Sequence, residues 1–248
     1  MTCCAVIPTY NNASTVADIV GRTLEACRAV IVVNDGSTDD TLERLRPFEG
    51  RITLVSYARN RGKGYALCRG LEAAREAGFD YAATIDSDGQ HRPEEIPLLT
   101  AAAAQAAGQS GNMAVLVVGS RNLHADGMPA KNTFANRFSN FWFRLQTGIS
   151  LPDTQTGFRL YPLHHLPCLG TITSRYESEL ELLVFSAWRG VELKPVGISV
   201  SYPDDRVSHF RPFWDFFRIS LLNTLLCVLA LLYGYPRMLV AKLKGGRR

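Results

Sequence analysis

The chain has 248 residues, 46% of them hydrophobic and 20% charged, with a formal net charge of +4. This length suits one α/β domain with a short appendage, and the composition supports a sizeable core and excludes a disordered chain. The positive charge is mild and not gathered in one block, so no nucleic-acid partner is expected.

Residues 3–8 are a short apolar run that reads as a first strand, not as the charged start of a secretory signal, so secretion is not expected. A helical stretch follows, with Val16, Ile19, Val20, Thr23, Leu24 and Cys27 on one side. Further strands are predicted at residues 29–33, 52–57, 81–85 and 114–118, with helices at 39–45, 65–77 and 94–107 between them. Continuous apolar runs separated by amphipathic helices predict a mostly parallel sheet with helices on both faces. The second half is less regular: a helix over 134–146, a strand over 157–161, a helix over 179–188 and a strand over 193–202. The six cysteines form no CxxC pair and mostly sit in apolar runs, which suits buried side chains in a reducing compartment.

Residues 219–235 (ISLLNTLLCVLALLYGY) are strongly apolar and end at Pro236. The run is slightly short for a span of about 20 apolar residues and carries Asn223, so an interfacial helix or helical hairpin fits better. A core or dimer-interface helix is the other reading. The flanking Trp214, Tyr233, Tyr235, Arg237, Lys242 and Lys244 resemble interfacial anchors. The expected division is a catalytic domain over 1–211 and an apolar, membrane-associated helical segment over 212–248.

Ligands of open α/β sheets bind beyond the carboxyl ends of the strands. Three loops there carry the chemistry: Pro8-Thr9-Tyr10-Asn11-Asn12, Asn34-Asp35-Gly36-Ser37-Thr38-Asp39 and Asp86-Ser87-Asp88-Gly89-Gln90-His91. Asp86 and Asp88 are two apart at a strand end, so their side chains point the same way. With the Gln90 oxygen they make a hard site suited to Mg²⁺ or Mn²⁺, which would bridge a diphosphate. A solvated acidic turn is the plain alternative. Asp35 can accept from a base or ribose, or can cap a turn. Gly62, Lys63 and Gly64 read as a flexible loop able to approach phosphates, without a Walker motif.

VIPTYNN, VVNDGSTDDT, NRGKGYAL, DSDGQH and DTQTGFRLY occur in this order within a resemblance that covers roughly residues 4–210. The set resembles the family 2 glycosyltransferases, especially the branch of dolichyl-phosphate mannose synthases and polyprenyl-phosphate glycosyltransferases. The resemblance implies a Rossmann-like GT-A fold, a divalent cation and inversion at the anomeric carbon. It implies a nucleotide-sugar site at Pro8, Thr9, Tyr10, Asn12, Asp35, Gly36, Lys63, Asp86 and Ser87, with metal at Asp86, Asp88 and Gln90. Arg121, Arg137, Arg159, Ser208 and Arg211 are implied at the acceptor, and Asp88, Asp153, Glu179, Glu181 and Arg206 in catalysis.

The expected partners are a nucleotide-sugar donor (UDP- or GDP-linked), a polyprenyl-phosphate or other lipid acceptor, and the cytoplasmic surface of a membrane. The oligomeric state stays open. An acceptor phosphate would arrive ionised and rely on arginines. An acceptor hydroxyl would need a base, Asp153, Glu179 or Glu181. At most one of Glu179 and Glu181 is expected at the site, because i and i+2 lie on different faces of a helix. An inactive scaffold of the same fold is a further reading, against which the intact Asp35, Asp86, Asp88 and Gln90 argue.

Overall fold

A computed structural model describes residues 1–121, 130–166, 173–201 and 212–245, and within these the side chains other than those of 110, 130–134, 212–216 and 241–245. Seven strands, β1 (Cys3–Thr9), β2 (Val30–Asn34), β3 (Thr53–Ser56), β4 (Tyr81–Thr84), β5 (Val115–Arg121), β6 (Arg159–Pro162) and β7 (Glu192–Ile198), form one sheet in the order β3-β2-β1-β4-β6-β5-β7. Six run parallel. β6 runs antiparallel to both neighbours, pairing Thr84 with Arg159 and Val118 with Arg159. β1, β2 and β4 are buried at nearly every position, as strands covered on both faces must be.

Helices α1 (Val16–Ala26) and α4 (Ile96–Ser110) supply Val16, Ile19, Val20 and Leu99 to one core layer. Helices α3 (Lys63–Glu76) and α6 (Glu177–Trp188) supply Leu67, Leu71, Leu183 and Trp188 to the other. The short α2 (Thr41–Leu45) follows the loop after β2. In α3, Gly70 lies where a Cβ would press on Val6 and Val33, so the helix sits close on β1 and β2.

α5 (Ala130–Thr147) and α6 form the bed for the C-terminal helices α7 (Pro212–Leu229) and α8 (Tyr235–Gly245). Leu222, Leu226 and Ala230 belong to the same core layer as α6. The Gln146 amide donates to Asn223 Oδ1 at 2.9 Å, and the Trp188 indole N–H to the Gln146 carbonyl at 2.9 Å. Pro236 does not end the apolar run. Five π-helical residues, Ala230–Gly234, link α7 to α8. Proline has no N–H, and its ring crowds the carbonyl four residues back; a wide turn absorbs both. Gly234 belongs there because a Cβ would come within 2.5 Å of the Trp188 ring.

Candidate active site

The loops after β1, β2 and β4 meet as the sequence predicts, and short polar side chains tie them. The Asn11 N–H donates to Ser37 Oγ at 3.0 Å, and the Asn12 amide to Ser87 Oγ at 2.8 Å. Ser87 in turn donates to the Pro8 carbonyl at 3.2 Å. Gly36 has φ +67°, and its Cβ would lie 2.5 Å from the Arg59 carbonyl carbon, so glycine lets the second loop rest on residues 59 and 60. The Asp35 carboxylate accepts the N–H groups of Arg61 and Gly62 at 2.7 and 2.9 Å. It therefore fixes the start of α3 while forming part of the cleft wall.

The cleft measures about 790 Å³. Pro8, Thr9, Tyr10, Asn12 and Asp35 line it from β1 and the loops after β1 and β2; Lys63, Asp86, Ser87, Asp88 and Gln90 from the start of α3 and the loop after β4; Arg121, Ser139, Thr154 and Ile219 complete the lining. Thr9 is buried and its hydroxyl has no hydrogen-bond partner among the described residues.

Lys63 is not in a flexible loop. It opens α3, whose first turn packs against the start of α6: a Cβ on Gly64 would fall on the Ser178 side chain, and one on Gly62 on the Ser174 carbonyl. The Lys63 ammonium lies 2.8 Å from Asp86 Oδ1 and 3.2 Å from Glu179 Oε1. Burial works against its charge, but Asp86 and Glu179 outweigh burial and raise its pKa. Burial opposes ionisation of Asp86 too, yet Lys63 holds its carboxyl below the usual range. For Glu179, burial wins, helped by the neighbouring Asp86 charge, and its pKa is raised despite Lys63. Gly157 makes room for both carboxylates: its Cβ would meet Asp86 Oδ2 at 2.7 Å and Glu179 Oε1 at 3.0 Å. Asp88 Oδ1 accepts the Gln90 N–H at 3.1 Å. His91 stacks on Phe158, and burial drops its pKa to about 4.

Five predicted residues do not line the cleft, the first being Gly36, which packs on residues 59 and 60. Asp153 is fully buried and paired with Arg121 through two bonds of 2.6 and 3.0 Å, with the Asn136 amide adding a third of 2.6 Å. Burial raises its pKa, but Arg121 prevails and holds it below the usual range. Arg159, expected at the acceptor, is fully buried. It donates to the carbonyls of Glu179 and Thr154 and to the Tyr161 hydroxyl, bracing the site from behind. Arg137 is exposed on α5 and outside the cleft, because Asn136, Ser139 and Asn140 form the inward face of that helix. Glu181 accepts from the Thr173 N–H and hydroxyl at 3.0 and 2.7 Å, away from the cleft. Arg206, Ser208 and Arg211 lie outside the described residues.

Several cleft residues escape sequence reasoning. Arg175, Tyr176 and Glu177 line the wall at the start of α6. The apolar stripe of that helix begins only at Leu180, so periodicity starts it two residues late. The charged residues just before the stripe were the available signal.

The family model for glycosyl transferase family 2 matches residues 4–165, and the chain belongs to that family. It is a glycosyltransferase of GT-A fold with polyprenyl-phosphate sugar transferases among its relatives. It is 26% identical to the UDP-N-acetylglucosamine–dolichyl-phosphate N-acetylglucosaminyltransferase of Methanococcus voltae, over 80% of this chain and 85% of that one. It is 29% identical to the polyprenol monophosphomannose synthase of Mycolicibacterium smegmatis, over 63% of this chain and 60% of the relative. Its fold matches the crystal structure of glucosyl-3-phosphoglycerate synthase from Mycobacterium tuberculosis in complex with Mn²⁺, UDP and phosphoglyceric acid. The TM-score is 0.65 at 22% identity, over 93% of this chain and 77% of the other.

Proposed function

We propose that the protein transfers a sugar from a nucleotide-sugar donor to a polyprenyl phosphate at a membrane surface, with inversion at the anomeric carbon. The observation that carries the phosphate acceptor is the state of the candidate bases. Asp153 is buried against Arg121, and Glu181 is buried and accepts from Thr173; neither lines the cleft, so two of the three are not placed to take a proton from an acceptor hydroxyl. An ionised phosphate needs no base. The acceptor phosphate is assigned to Arg121 and Ser139, which line the cleft together with Ile219 of the apolar helix.

The donor is assigned to the part lined by the loops after β1, β2 and β4, with its nucleoside beside Asp35 and the unpartnered Thr9 hydroxyl. Among the described residues no three His, Cys, Asp or Glu side chains converge on a possible metal position. Two carboxylates and an amide suit Mg²⁺ or Mn²⁺ shared with diphosphate oxygens. Asp86, Asp88 and Gln90 would hold that ion, which supplies positive charge against the leaving diphosphate. The Lys63 ammonium already rests on Asp86, as expected of a site that attracts cations. Lys63 also stands ready for the diphosphate, and Asp35 and Gly36 fix the nucleoside end.

Membrane contact is supported by the C-terminal helix. Phe217–Val240 is one helical stretch long and apolar enough to cross a bilayer. Leu222, Leu226, Ala230 and Gly234 are nevertheless buried on α5 and α6, while Leu221, Leu225, Val228, Leu231 and Leu232 are exposed, as are Phe141 and Leu145 of α5. A helix covered along one side by a polar domain suits the plane of one leaflet better than a crossing. We place the cytoplasmic leaflet there.

One observation favours a second reading. Glu179 faces the cleft and its pKa is raised, which suits a base for a hydroxyl acceptor. Glu179→Gln separates the two: under the phosphate reading turnover survives and the acidic limb of the pH–rate profile stays in place, and under the hydroxyl reading turnover is abolished.

A further inference from the structure

Three glutamates open α6, and they differ in what holds them. Glu179 is paired with Lys63 and Glu181 with Thr173. Glu177 is 6% exposed and lines the cleft, yet its Oε2 has no hydrogen-bond partner among the described residues. A carboxylate only accepts, so its need is a donor. A buried acceptor without one costs stability, and such a group persists where a ligand satisfies it. Its position is fixed by packing. Gly62 and Gly64 allow α3 to close on Ser174 and Ser178, which flank it in sequence, and the Lys63 ammonium lies 5.7 Å from the ring of the adjacent Tyr176. Glu177 thus lines the same cleft as Lys63 and follows directly on Tyr176, whose ring faces the Lys63 ammonium.

We propose that Glu177 is a sugar-binding residue that accepts hydrogen bonds from hydroxyl groups of the transferred sugar. The inference rests on the reading of the cleft as a nucleotide-sugar site. It adds a ligand class: a hexose unit with free hydroxyls facing α6. A site built to bond a hydroxyl discriminates strongly against a ligand that lacks it. Glu177 therefore separates a nucleotide-sugar from the bare nucleoside diphosphate.

The test is calorimetric binding to the full chain with Mn²⁺. UDP-glucose, UDP-N-acetylglucosamine and GDP-mannose are titrated beside UDP and GDP, into wild type and Glu177→Gln, and the unfolding temperature of each unliganded protein is recorded. The expected result is a tenfold or greater loss for the preferred nucleotide-sugar, a change under twofold for its nucleoside diphosphate, and an unfolding temperature equal to or above that of wild type. Equal losses for both ligands, no loss for either, or a lower unfolding temperature overturn the proposal and make Glu177 structural. Wild type that binds none of the five ligands overturns the nucleotide-sugar reading itself, and this inference with it.

Discussion

Asp153 is committed to Arg121 beside the site. The pair is bidentate and Asp153 is fully buried. Removing one partner of such a pair leaves an uncompensated charge, so Asp153→Asn is expected to cost ~3 kcal/mol at pH 7 by denaturant unfolding. The folded pKa of Asp153 is depressed. Its contribution is therefore present above the unfolded value of about 3.9 and is lost as pH falls through the lower folded value. The deficit of the variant should shrink below about pH 4; a deficit constant with pH would mean that the ion pair is not its source. Sequence alone could place Asp153 near the site, but not show that it is already spent on Arg121. Arg159 escaped for a related reason: a guanidinium in a motif reads as a ligand, whereas its three internal acceptors come from residues 154, 161 and 179, which only the fold brings together.

At the scale of elements, glycines decide how closely helices meet. Gly64→Val puts a branched side chain where Ser178 stands and should separate α3 from α6, costing about 1–3 kcal/mol in urea unfolding and weakening donor binding through Lys63. Gly234→Leu drives a side chain into Trp188, at a similar cost by the same overpacking argument. If either variant unfolds like wild type, the close approach at that position is not required. β1, β2, β4 and β5 were legible because each is a short buried run that is mostly apolar, and the three site loops followed from β1, β2 and β4. The reversed direction of β6 was not, because direction is set by pairing partners and leaves no local pattern. The start of α3 was missed because two glycines suggest a loop; here they serve contact with α6. Pro236 was read as a stop because sequence does not reveal a π turn.

For the whole molecule, the cleft and the apolar helical surface meet at Ile219. The proposed function assigns the donor to the cleft and lipid to this helical surface. Leu231 and Leu232 are 70% and 75% exposed, so Leu231→Glu with Leu232→Glu should release the protein from liposomes in a flotation assay with little change in unfolding. Leu226→Ala, on the buried stripe of the same helix, should instead cost about 2–4 kcal/mol of stability. Equal flotation of wild type and the double variant would remove lipid as the occupant of this face. The apolar run was plain in the sequence, but which side of it is covered depends on where α5 and α6 lie.

The central claim is donor-to-lipid-phosphate transfer in this cleft. It is tested most directly by following nucleoside diphosphate release from UDP- and GDP-sugars by the detergent-solubilised protein, with Mg²⁺ or Mn²⁺, with and without polyprenyl phosphate, beside Asp88→Ala. The account predicts release from one donor that requires the polyprenyl phosphate and falls at least a hundredfold in the variant. Release that requires a hydroxyl acceptor instead, or that survives in Asp88→Ala, would contradict it.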